Sequence, residues 1–151
     1  MESFSDGKQV WHLRWTVSVL REARNVWYYR GAERVKLNAG LVEEWIQNLF
    51  TNPELVCDLV WLAAQKQHAD RSQEQLEEVM YGMVIELARE ALISEIVNFS
   101  QDRTGRGKMI RAIADEIQGK MTEAINQAQE DLTSSEPLTN GAESLELTEA
   151  S

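Results

Sequence analysis

Between Val17 and Gln129 the apolar residues of this chain recur at helical rather than strand spacing, which restricts most of it to an α fold. Leu41, Val42, Trp45, Ile46, Leu49 and Phe50 fall at i, i+1, i+4, i+5, i+8 and i+9, a wide stripe on a helix capped by Asn38. Thr51-Asn52-Pro53-Glu54 predicts a restart, with Asn52 as cap, Pro53 at the first helical position and Glu54 against the dipole. That helix carries Leu55, Val56, Leu59 and Val60 and ends near Gln67. Ser72-Gln73-Glu74-Gln75 has capping-box spacing and opens another, which Gly82 breaks or kinks. The continuation from Val84 to Phe99 is apolar over much of its circumference. After a loop over residues 101–108, a final helix carries Ile110, Ile113, Ile117 and Met121 on a narrower stripe.

Ahead of Thr16 the period is two. Asp6-Gly7 is a tight-turn pair, and Trp11, Leu13 and Trp15 alternate with His12 and Arg14. From Thr16 the spacing predicts a helix through Val17, Leu20 and Ala23, closing on Val26-Trp27-Tyr28-Tyr29 before Gly31. The expected architecture is mainly α: a short N-terminal β-hairpin, then a bundle of about five helices, forming one domain over residues 1–131. Residues 132–151 are expected to be a disordered acidic tail, because Ser, Thr, Glu, Pro and Gly dominate there. Residues 121–151 hold seven acids and no Lys or Arg, so −7 of the formal charge of −10 lies in that segment.

Charge and composition narrow the function. A chain of pI near 4.7 lacks the basic face a phosphate backbone demands, so nucleic acid is not an expected partner. No run approaches the roughly 18 apolar residues needed to span a bilayer, and the first eight residues carry no leader pattern. Cys57 lies among Leu55, Val56, Leu59 and Val60 and reads as a buried, inert thiol, which fits synthesis inside a cell.

Catalytic constellations are not evident. His12 and His68 are the only histidines, and His68-Ala69-Asp70 falls in a predicted turn, where a solvated histidine is expected. The acidic pairs Glu43-Glu44, Glu77-Glu78 and Glu86/Glu90 read as solvated helix faces, since acid–base work needs one carboxyl raised by burial. No catalytic, cofactor or metal residues are therefore assigned. Arg103, Arg106, Lys108 and Arg111 form the one basic cluster; it could receive an anion, answer the acidic tail or simply be solvated. Trp27, Tyr28 and Tyr29 cannot all face one core from a helix, so at least one belongs to the surface or to a contact, where Trp and Tyr concentrate binding energy. Together with the last helix's Ile110, Ile113, Ile117 and Met121 they are the candidate protein-interaction residues.

The order of segments resembles a known family. A β start ending in Trp11-His12-Leu13-Arg14-Trp15-Thr16-Val17 leads to Leu20-Arg21-Glu22-Ala23-Arg24. Leu49-Phe50-Thr51-Asn52-Pro53-Glu54-Leu55 and Leu59-Val60-Trp61-Leu62-Ala63-Ala64-Gln65-Lys66-Gln67 follow, then the long helix Glu86 to Phe99. This arrangement, over roughly residues 9–117, is similar to the tail assembly chaperones of long-tailed bacteriophages and prophages. The resemblance implies a small helical protein, without enzymatic activity or cofactor, acting in the bacterial cytoplasm. Its implied partner is a long helical tape-measure protein, kept soluble until the tail tube polymerises around it. The rival expectation is a connector or minor tail protein retained in the particle. Self-association stays open in either case.

Overall fold

The computed structural model describes residues 1–142, with side chains through residue 133. Strand β1 (Glu2–Ser5) pairs antiparallel with β2 (Val10–Leu13), and Phe4 stands opposite Trp11. The Asp6 carboxylate makes the turn: its Oδ1 accepts the N–H groups of Lys8 at 2.8 Å and Gln9 at 2.7 Å, and Gly7 takes the left-handed φ of 94°. This register places Phe4, Trp11 and Leu13 on the buried face.

Helix α1 (Val17–Ala23) is capped by the Thr16 hydroxyl, which accepts the Val19 N–H at 3.2 Å. The expected helical close on Val26-Trp27-Tyr28-Tyr29 is not observed. Those residues lead into strand β3 (Trp27–Arg30), which pairs antiparallel with β4 (Glu33–Lys36). Aromatic and β-branched residues favour the strand, and Gly31 at φ 68° opens a two-residue Gly31-Ala32 turn of the kind that joins such strands.

The predicted helix from Asn38 is also divided, into single turns α2 (Val42–Trp45) and α3 (Asn48–Thr51). Asn38 does not cap. Its backbone carbonyl accepts the Trp45 indole N–H at 3.0 Å and the Leu41 N–H at 2.9 Å, and Leu41 precedes the helix without a side-chain cap. The apolar stripe is nonetheless buried through Val42, Trp45, Ile46 and Leu49.

The next two starts follow the sequence signals. Asn52 Oδ1 accepts the Leu55 N–H and caps α4 (Pro53–Ala64). Ser72 and Gln75 complete a reciprocal capping box on α5 (Gln73–Val79). The chain breaks at Met80-Tyr81, where Gly82 at φ 56° begins α6 (Gly82–Thr104). Gly105 ends α6 in the left-handed conformation, its N–H bonded to the Gln101 carbonyl. Helix α7 (Gly107–Ala142) then begins.

Met1–Asp115 form one compact unit, and a second begins at Glu116. In the first unit α4 packs on α6, β2, α1, α3 and α5, while β1 lies along α6. Among the described residues five helices longer than a single turn thus follow the N-terminal hairpin, as expected of a mainly α chain. In the second unit α7 runs beyond Leu132 to Ala142, and the rest of the expected acidic tail, 143–151, lies outside the described residues. Among the described residues no helix is long and apolar enough to cross a membrane.

Candidate protein-binding surfaces

The buried polar groups serve as ties within the fold. Glu95, on α6 and 7% exposed, accepts the Trp15 N–H through Oε1 at 3.0 Å and the Glu2 N–H through Oε2 at 2.9 Å. It therefore anchors both ends of the first hairpin segment to α6. Nothing in its spacing distinguished it from the solvated acids of the same helix.

His68 corrects an expectation. It is 7% exposed rather than solvated, because the turn after α4 folds back onto β2. Its Nε2 accepts the His12 N–H at 2.8 Å, and its ring meets Trp11 edge-on at 5.5 Å and stacks on His12 at 5.6 Å. Burial, then the charges of Arg71 and His12, hold its imidazole below the ordinary value against the opposing pull of Asp70. A neutral ring that spends one nitrogen accepting a backbone N–H is a structural part. Among the described residues no group of three or more His, Cys, Asp and Glu side chains is placed to hold a metal ion.

The three consecutive aromatics separate by strand period. Tyr28 is 5% exposed and belongs to the core, which removes it from the candidate contact residues; Trp27 at 49% and Tyr29 at 55% are exposed. They border a cavity of about 390 Å³ whose other wall includes Cys57, Asp58 and Glu77. Burial, followed by the Glu77, Asp58 and Glu54 charges, pushes the Cys57 thiol up to about 11, so it stays protonated and unreactive near neutrality. Asp58 is raised by burial and by Glu77 and Glu54, against a hydrogen bond from the Gln73 amide at 3.1 Å. Arg34 already lies over the Trp27 ring, 5.4 Å from its centroid, so the aromatic face has an internal cation.

A second concavity, of about 270 Å³, is apolar. Trp15, Val17, Leu20, Val42, Phe99 and Ile110 form its walls, drawn from α1, α2, α6, α7 and the segment before α1. Glu43 and Arg106 form an ion pair at its edge. Val17 is 44% exposed at the mouth, whereas Ile110 is buried at depth. Arg103 borders it with its guanidinium 5.4 Å from the Phe99 centroid. Arg111 is engaged elsewhere, with Glu90 at 3.0 Å and Asp115 at 3.6 Å, so the basic cluster does not act as one site.

Of the candidate residues, Trp27, Tyr28 and Tyr29 line the first cavity, and Ile110 lines the second. Ile113 is half-buried on the first turns of α7. In the second unit Ile117 and Met121 are half-buried and Ile125 is exposed, one face of the helix at i, i+4 and i+8. The groove as a whole escaped the sequence because its walls come from three separated stretches, 15–20, 39–43 and 99–110.

No protein-family model, curated protein or solved structure matches this chain.

Proposed function

We propose that this chain is a non-enzymatic holding protein of the phage tail assembly chaperone kind, working in the bacterial cytoplasm on a long helical tape-measure protein. The observation that carries the reading is the apolar groove left open beside the exposed Val17. Water-facing apolar concavities on a small domain are costly unless a partner covers them. The exposed Trp27 and Tyr29 supply a second surface of the type that concentrates binding energy. The net charge of −10 supports solubility of a complex carrying an aggregation-prone client.

Co-expression with the long helical reading frame of the same genome tests the reading. The client is expected in the soluble fraction with the native chain and in the pellet with Val17→Gln. Mass spectrometry of purified particles supplies the second arm. A chaperone is scarce or absent there, and a fixed stoichiometry instead establishes a retained connector or minor tail protein.

A further inference from the structure

We propose that the groove is read by one apolar anchor of a partner protein followed by a carboxylate seated on Arg103; this rests on the holding function above and names the chemistry of its client. At about 270 Å³ the groove lies below the roughly 300–1,000 Å³ of sites for drug-sized ligands, so it takes a single large side chain. Its walls are mainly apolar, through Trp15, Val17, Leu20, Val42, Phe99 and Ile110, which sets the anchor's character. The charges at the edge set its neighbour. Arg106 is spent on Glu43 and so does not select an incoming charge, while the second carboxylate oxygen of Glu43, Oε1, is buried without a hydrogen-bond partner among the described residues.

Arg103 is different. Among the described residues no carboxylate pairs with it, and its guanidinium rests on the Phe99 ring that forms part of the groove wall. Stacking leaves the guanidinium edge free to donate to a carboxylate in a bidentate manner. In a chain of net charge −10, this places an unpaired cation beside an apolar opening, and an acidic flank complements it. A basic flank would face the unpaired Arg103.

The test uses the full chain and three fluorescein-labelled amphipathic peptides that share one Trp anchor and differ only in carrying Glu, Gln or Lys four residues later. Anisotropy titrations at 50 and 300 mM NaCl are expected to rank them Glu, Gln, Lys. The Glu and Lys peptides should differ by about threefold to fivefold at low salt, the range of an exposed ion pair, and less at high salt. Arg103→Glu should reverse the order and Arg103→Gln should erase it, while melting curves confirm that both variants fold. Val17→Gln should weaken all three peptides alike.

Equal affinities for the three peptides, or an order unchanged by Arg103→Glu, overturn the acidic-flank proposal while leaving the groove as the docking place. Binding that ignores Val17→Gln, or no binding at all, overturns the groove itself and with it the reading it rests on. Concentration-dependent self-association that disappears when residues 143–151 are removed also overturns the proposal, in favour of a second copy as the occupant.

Discussion

At the scale of the residue, the buried His68 makes the fold sensitive to acid. His68 is held below its ordinary 6.5, so the folded protein keeps it neutral while the unfolded chain takes up a proton near that pH. Stability from this group is complete above about pH 6.5 and is lost as the pH falls through the lower, folded value. Urea midpoints are expected to decline as the pH falls below about 6.5, and His68→Leu should flatten that decline while costing about 1–3 kcal/mol at pH 7.5 by orphaning the His12 N–H. Glu95→Leu should cost more, about 3–5 kcal/mol, since it strips the acceptor from the Glu2 and Trp15 N–H groups in a buried setting. Glu95→Gln retains one carbonyl oxygen and falls between. Asp58 carries the opposite sign: its carboxyl is raised by burial first, so ionisation near neutrality opposes folding. Asp58→Asn should raise the melting temperature slightly, by no more than about 1 kcal/mol of stability after solvent screening.

At the scale of the element, the α6–α7 corner is the tightest joint. A Cβ on Gly107 would lie 2.5 Å from the Val97 carbonyl oxygen and 2.6 Å from Gln101 Cβ, so Gly107→Ala must push the two helices apart. The expected loss is about 1–3 kcal/mol, measured by chemical denaturation. The double change Trp27→Ser with Tyr29→Ser should leave stability almost unaltered and reduce client retention in the co-expression assay, because both side chains face water on β3. Local signals made part of this architecture legible. Asp6-Gly7, Asn52-Pro53 and Ser72-x-x-Gln75 act through bonds within four residues, so spacing alone disclosed them. The β3–β4 hairpin was missed because Val26 to Tyr29 extends an apolar helical run, while the deciding Gly31-Ala32 turn is only two residues long. The split after Trp45 was missed because two single turns preserve nearly the same helical stripe as one long helix. His68 was misjudged because its burial depends on Trp11 and His12, 57 and 56 positions away in the chain.

At the scale of the molecule, the buried hydrophobic residues among those described end at Ala114, and the second unit begins two residues later. Ending the chain at Lys120 should therefore leave the melting temperature of the first unit unchanged within about 2 °C. The same truncation removes seven acids and no base, so a loaded complex should pellet more readily at equal concentration. A collapsed melting transition in the truncated chain would show that the segment beyond Lys120 supports the core. The tie from Glu95 to Glu2 has a further consequence in time. They stand 93 positions apart in the chain, so at about 5–20 residues per second of synthesis the opening strand waits on the order of 5–20 s before its anchor exists. The groove waits longer still, because Ile110 completes its wall. On the proposed holding function, a nascent chain cannot grip a client through this groove until Ile110 has been made and folded into place.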